Sequence, residues 1–337
     1  MPDAPPSNIG IFDTITDRLT PVADRQRRGF LDLPLTPQGH ADGYAQVSAF
    51  RQVERGGKAA PAPLAGKLRV AAWNLERCLY PDQAAQHLRQ HDVGLALLTE
   101  MDCGMLRTGQ IHTIADIAAR LGQQYAYGLE FLELKPMPPP EGFIAIGDDN
   151  ASGFHGNGLI TTHPFDNPVV IRLDPVTDWY IAPKSGQRRI GNRMALAAVV
   201  AVGTMRFVAC SVHLESATDG AGRLIQMRTL LDRLDEYAAG LPVLIGGDLN
   251  THVQPGGSDD ATEPLFALTK ARGYDFSTCN LPRPTTRTST WSESTGTRQL
   301  DWFCTRDLAA SEPEVVPALG PDGTVLSDHE LILVSVG

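Results

Sequence analysis

From Leu68 onward, short apolar runs bounded by turn-forming residues recur along the chain: LRVAAWN, VGLALLT, GLITT, ALAAVVAV, RFVACSV, PVLIGG, LDWFCT and LILVSV. Their length and richness in Val, Ile and Leu predict strands. Helical spacing separates some of them. Its clearest case spans about Gly222 to Ala239, where Leu224, Met227, Leu231, Leu234 and Ala238 recur every three or four residues while Arg223, Arg228, Asp232 and Asp235 fall on other faces. DQAAQHLRQ and IHTIADIAARL are further helix candidates. The stretch ALAAVVAVGTMRFVACSV places two strands around a Val-Gly-Thr-Met turn, a hairpin signal, so mixed or antiparallel sheets are expected over a parallel doubly wound one. Residues 1–66 lack this periodicity and end in the Pro/Ala/Gly stretch GGKAAPAPLAG, which reads as a linker. The expected division is an N-terminal extension and linker over 1–66, with a short helix between Ala41 and Gln52, and a catalytic body over 67–337.

Composition narrows the class. The 337 residues are 42% hydrophobic and 20% charged, with Gly and Pro scattered, which excludes collagen-like, coiled-coil and wholly disordered chains. No apolar run reaches the roughly 20 residues of a membrane helix, and the N-terminus has no basic segment followed by an apolar one, so no stable membrane insertion and a cytoplasmic location are expected. The formal charge of -10 disfavours a broad basic face for nonspecific adhesion to polyanions. Cys78, Cys103, Cys210, Cys279 and Cys304 form no CxxC pair and leave one over, so reduced buried thiols are expected instead of disulfides or a thiolate zinc site. No GxGxxG, GxxxxGK[ST] or HExxH motif is present.

The polar residues cluster where the apolar runs stop. Asn74 and Glu76 follow LRVAAW, Glu100 follows VGLALLT, His213 ends RFVACSV, and Asp248 with Asn250 follows PVLIGG. By contrast, Asp301 opens LDWFCT and Asp328-His329 precedes LILVSV. If the last two strands run opposite to the others, all these groups meet at one sheet edge. Carboxylates held that close repel one another unless a cation neutralises them, and oxygen ligands suit Mg²⁺ or Mn²⁺. Two histidines beside such an ion fit hydrolysis of a phosphate ester. Ser211 and Ser327 lie near histidines in sequence, but that spacing alone is a weak sign of a serine hydrolase.

In this order, the segments AAWNLE, LLTEMD, GNGLITTHPF, SVHLES, IGGDLNTH, QLDWFCT and LSDHELILVSV resemble successive motifs of the endonuclease/exonuclease/phosphatase (DNase I-like) superfamily over about residues 68–337. The resemblance implies an α/β fold, a four-layer αββα sandwich with two facing mixed β-sheets and a site at one rim. It also implies metal ligation by Glu100, helped by Asn74 and Asp328 directly or through water. His329 would be the catalytic imidazole, oriented by Asp301. Asp248 and Asn250 would position water and phosphate, His213 would stabilise phosphoryl oxygens or assist the leaving group, and Asn157 would contact phosphate. The base is assigned jointly to Asp248 and His329, with in-line single displacement as the expected chemistry.

Each of these residues also fits a plain structural role, Asn74 as a turn cap, Asp248 and Asn250 as turn formers, Asp301 as a satisfied strand-end carboxylate. Glu76 and Asp102 fit a supporting position and a solvent-facing one equally; His112, His155, His163 and His252 are expected to be structural or exposed. Lys184, Arg188, Arg189 and Arg193 form one basic cluster and Arg283, Arg287 and Arg298 another; of these, Arg188 and Arg193 are candidates to grip substrate phosphate. Trp291 is expected to pack more than to stack on a base, and the Pro/Gly-rich stretch before GLITT to shape the rim. The expected substrate is a phosphate ester, a phosphodiester ahead of a monoester, with nucleic acid among the options. Alternatives are a sphingomyelinase-like or inositol-phosphate-phosphatase-like hydrolase, or a catalytically silent protein of the same fold that binds a phosphorylated ligand or a partner.

Overall fold

The computed structural model describes residues 9–58, 67–143, 145–183, 186–251, 253, 262–291 and 298–337. The chain enters through β1 (Gly10–Phe12), β2 (Thr14–Thr16), α1 (Asp24–Gly29), α2 (Pro37–Ala45) and β3 (Gln52–Gly57). It continues through β4 (Leu68–Arg77), α3 (Pro81–Gln90), β5 (Leu95–Cys103), α4 (Thr113–Leu121), β6 (Gln124–Glu133), β7 (Phe154–Thr161) and β8 (Phe165–Arg172). Then follow β9 (Arg189–Gly191), β10 (Met194–Val202), β11 (Met205–His213), α5 (Gly220–Ala238), β12 (Val243–Asp248), α6 (Leu265–Ala271), β13 (Asp301–Arg306), β14 (Ala310–Val316) and β15 (Leu331–Val336).

Two mixed sheets result. One has the order β1-β8-β10-β11-β12-β13; the other runs β14-β15-β4-β5-β7-β6-β3-β2, with β9 also paired to β6. Strand alternation explains the layering. Met194, Leu196, Ala198 and Val200 of β10 meet Leu68, Val70 and Ala72 of β4 in a core between the sheets. The intervening Ala195, Ala197 and Val199 pack in a second core with Met227, Leu231 and Leu234 of α5. Ala71, Trp73 and Leu75 of β4 face a third, with Ala84 and Leu88 of α3 and Ile114 and Ile117 of α4. Both faces of these strands are buried, hence their near-continuous apolar runs. Each such Leu, Val or Met contributes roughly 1.5–3 kcal/mol. The layers are those of the expected αββα sandwich, and no helix of the described residues is long and apolar enough to cross a membrane.

The hairpin forms as read, with Val202 paired to Met205 across Gly203-Thr204. The helix over 222–239 is α5, started by the Asp219 side chain accepting from Gly222 N at 3.0 Å. Arg223, assigned to an outer face, is buried instead and bonds Glu263 through Nε at 3.0 Å.

The N-terminal residues correct the expected division. They are part of the body: β1 pairs with β8, β2 and β3 extend the other sheet through β6, and Val53 lies in the core between the sheets. Phe30, Tyr44, Val47 and Phe50 are buried in the core of the helical layer. Strands of three to six residues and helices of six and nine are too short to show a clear period, so the pattern read as an appendage. The expected helix lies earlier, at Pro37–Ala45, where Thr36 caps and Pro37 starts it, followed by a 3₁₀ turn at Ser48–Arg51. The expected linker at 59–66 lies outside the described residues.

A buried ionic cluster fastens this segment. Glu54 of β3 accepts from Leu19 N at 2.9 Å and from Tyr125 Oη at 2.9 Å, and it meets His112 Nε2 at 2.8 Å. Burial opposes charge on His112, but Cys103 and Glu54 outweigh it and raise its pKa to about 9. Burial likewise opposes charge on Glu54, yet His112 and the other donors hold its pKa below the usual value. The raised histidine stabilises the fold fully below its unfolded pKa, about 6.5, and that contribution is lost as pH rises towards 9; the lowered Glu54 loses its own on acidification. The difference in unfolding free energy between wild type and His112→Gln should therefore shrink by up to about 3 kcal/mol between pH 6 and pH 9. Urea titrations at both pH values check this; an unchanged difference contradicts it.

Candidate active site

Register brings the polar strand ends together. His213 ends β11 opposite Asp248 at the end of β12, and Asp248 pairs with Asp301 at the start of β13. In the facing sheet β4 and β5 are parallel, and β15 runs antiparallel to β4, which brings His329 back to the same rim. The β4 ladder slips between Asn74 and Arg77, and the β5 ladder between Leu98 and Met101. Glu76, Arg77, Cys78 and Glu100, at or beside these irregularities, and Asn250 all have positive φ. Non-glycine residues in this region cost about 1–3 kcal/mol each and collect at functional sites.

One oxygen forms the focus. Asp248 Oδ2 accepts from Asn74 Nδ2 at 3.1 Å and faces His213 Nε2 at 3.5 Å and His329 Nε2 at 3.7 Å. Its other oxygen accepts from Asn250 N at 2.8 Å. Asn74 Nδ2 also donates to Glu100 Oε1 at 3.2 Å, so one amide joins the two carboxylates. Its Oδ1 accepts from Glu76 N at 3.0 Å. Here Asn74 offers the carboxylates its amino group, whereas the expected role toward an ion uses the oxygen. Asn250 Nδ2 donates to Leu214 O at 3.0 Å, fixing the turn.

The two histidines differ in proton state. His329 Nδ1 lies 2.7 Å from Asp301 Oδ2, and despite burial the charges of Asp301, Asp248 and Asp328 raise its pKa well above 6.5. Its Nε2 faces Asp248 and, at 3.9 Å, Asp328 Oδ1. Arg193 Nη1, which can only donate, lies 2.9 Å from His213 Nδ1, so that nitrogen accepts and the proton sits on Nε2, toward Asp248. Burial and then Arg193 keep His213 well below its usual pKa, hence neutral.

Carboxylates outnumber cations around this focus. Burial, then the charge of Asp301, raises Asp248 to about 7 against the pull of His329. Burial and Asp328 raise Glu76 to about 8. Glu100 is held well below the usual range although burial opposes it, with Arg77 first among the charges responsible. Asp301 Oδ1, Asn157 Oδ1 and Glu130 Oε2 are buried without a hydrogen-bond partner. Asp248, Asp301 and His329 offer ligand-type atoms within 4.8 Å of one another. A donor set dominated by carboxylate oxygens, with one imidazole nitrogen and orphaned acceptors nearby, fits a hard divalent cation.

Of the expected residues, Asn74, Glu100, His213, Asp248, Asn250, Asp301 and His329 gather here, with Asp328 at the edge, where its N donates to Glu76 Oε2 at 3.2 Å. Asn157 is buried, its amino group donating to Met194 O at 3.0 Å. Arg193 is not free to grip phosphate: it is buried against Glu130 at 3.1 Å, Glu215 at 3.3 Å and His213. Arg188 donates to the carbonyls of Leu31 and Leu33 at 2.8 and 3.0 Å, so it ties the N-terminal segment to the rim. Asp102, unassigned from sequence, is fully buried and accepts twice from Arg107 at 2.8 Å, in a network with Glu133 and His155. His163 is buried, and His252 lies outside the described residues. Sequence reasoning missed Arg77, Glu130 and Glu215. Glu215 has a readable signal, a carboxylate two residues beyond His213.

A model of the endonuclease/exonuclease/phosphatase family matches residues 71–329. The chain belongs to this family, whose members hydrolyse phosphoester bonds. Comparison with curated protein sequences finds no significant match. Among solved structures, the chain is similar to an endonuclease/exonuclease/phosphatase from Beutenbergia cavernae, with 19% identity, TM-score 0.56, and coverage of 81% of this chain and 72% of that one. It is also similar to the human nocturnin catalytic domain with bound sulfate, with 16% identity, TM-score 0.51, and coverage of 85% and 96%. A mannosyl-6-phosphatase from Bacteroides thetaiotaomicron gives 17% identity, TM-score 0.51, and coverage of 80% and 99%. At these identities the likeness concerns the fold.

Proposed function

We propose that the protein is a Mg²⁺- or Mn²⁺-dependent phosphoesterase that hydrolyses a phosphodiester by in-line attack of an activated water. The observation that carries this reading is the convergence of Asn74, His213 and His329 on Asp248 Oδ2. Glu100 would hold the cation, with Asn74 and Asp328 helping directly or through water. When bound, the ion supplies charge stabilisation to the transferring phosphoryl group.

The chain's own residues do the rest. The Asp248–His329 pair takes the proton of the water whose oxygen attacks phosphorus, while Asp301 keeps the imidazole oriented through Nδ1. As that P–O bond forms, the bond to the leaving oxygen opposite it breaks, and the alkoxide released takes up a proton from solvent to become the alcohol. His213, kept neutral by burial and Arg193, stabilises developing charge on a phosphoryl oxygen or assists the leaving group. The commitment of Arg188 and Arg193 to protein acceptors supports a compact phosphodiester over a long polyanion gripped along a basic track.

A Mg²⁺-supplemented panel of bis-p-nitrophenyl phosphate, single-stranded and duplex DNA, RNA, sphingomyelin and inositol phosphates tests the reading. Turnover of a diester supports it. Hydrolysis of monoesters alone assigns a phosphatase instead, and turnover of none supports the silent binding protein.

A further inference from the structure

Most rim arginines have acceptors within the protein. Arg107 meets Asp102 and Glu133, Arg189 meets Glu133, Arg193 meets Glu130 and Glu215, and Arg287 meets Glu330. Arg77 differs. Among the described residues its guanidinium has no hydrogen bond or ion pair, and Nε is buried without an acceptor while the terminal nitrogens are not sealed off. The guanidinium lies over the Trp291 ring, 5.2 Å from its centroid, and Trp291 Nε1 is also buried without an acceptor. Two buried donors, Arg77 Nε and Trp291 Nε1, therefore lack an acceptor among the described residues.

Such an arrangement costs about 1–3 kcal/mol per unmet donor, which a cation–π contact of roughly 0.5–2 kcal/mol offsets only in part. The surroundings nevertheless hold it in place. Glu76, Arg77 and Cys78 have φ of 44°, 74° and 61°, three successive left-handed residues at the end of β4. Ser289 Oγ donates to Glu76 Oε1 at 2.5 Å and accepts from the backbone N of Trp291 at 3.1 Å, which ties the main chain at Trp291 to the end of β4. Arg77 is three residues beyond Asn74, next to the carboxylates of the site. The strained segment thus holds a guanidinium beside the carboxylates of the site, its terminal nitrogens open and without a hydrogen-bonded acceptor among the described residues.

We propose that Arg77 and Trp291 form an anion subsite that receives non-bridging oxygens of the substrate's phosphate group; this rests on the phosphoesterase reading. The guanidinium supplies charge and a fork of N–H donors, and the indole orients it.

The test uses the full chain with Mg²⁺ and inorganic phosphate as the probe. Phosphate should give a saturable change in tryptophan emission that is absent in Trp291→Phe and in Arg77→Gln. With bis-p-nitrophenyl phosphate, Arg77→Gln should raise KM about 10- to 100-fold, and Arg77→Lys should fall between it and wild type. Thermal melts of both Arg77 variants show whether they are folded; if Arg77→Gln is not, the Arg77→Lys shift and the wild-type phosphate response decide. Phosphate leaving the emission unchanged, or wild-type KM in a folded Arg77→Gln or Arg77→Lys protein, overturns the subsite. A phosphate response in a protein that hydrolyses nothing keeps the subsite and removes the phosphoesterase reading.

Discussion

His329→Ala should lower kcat for a phosphodiester by about 10²- to 10⁴-fold while KM changes by less than about threefold. The imidazole is buried, its Nδ1 is spent on Asp301 at 2.7 Å, and its Nε2 faces Asp248 Oδ2 at 3.7 Å. Proton transfer is therefore its principal use, and binding should depend on it little. Steady-state kinetics of the variant check this. A large KM rise with unchanged kcat would make His329 a binding residue and leave Asp248 alone with the proton.

Glu100→Ala should lose turnover at ordinary metal concentrations and recover part of it only at metal levels more than about 100-fold higher. Glu100 is held ionised below the usual carboxylate range, and it shares the Asn74 amide with Asp248. Removing it takes away the principal negative charge available to a cation and leaves the amide bonded to Asp248 alone. Activity measured against Mg²⁺ concentration reads the shift directly. An unchanged Mg²⁺ dependence would show that the ion is held elsewhere, for instance by the Asp248, Asp301 and His329 group.

Much of this site is legible in the sequence because strand ends are legible. Once apolar runs place β4, β5, β11, β12, β13 and β15, the polar residues at their ends can meet only if the last two strands reverse, and the register of Asp248 with Asp301 is that reversal. Partner choice is less legible. Arg193 and Arg188 read as phosphate ligands because a guanidinium near a strand start looks the same whether it meets solvent, a buried Glu130 or the Leu31 carbonyl. Arg77 escaped notice because its importance comes from a ladder slip and positive φ, which no periodicity shows. The N-terminal segment was illegible for a related reason: β1 and β2 are three residues each, and tertiary pairing with β8 and β3 sustains them.

The most direct measurement is hydrolysis of bis-p-nitrophenyl phosphate by the full chain stripped with EDTA and then resupplied with Mg²⁺ or Mn²⁺. Turnover should vanish on stripping and return with either ion. Equal turnover in EDTA would contradict this, as would no turnover with the ions restored.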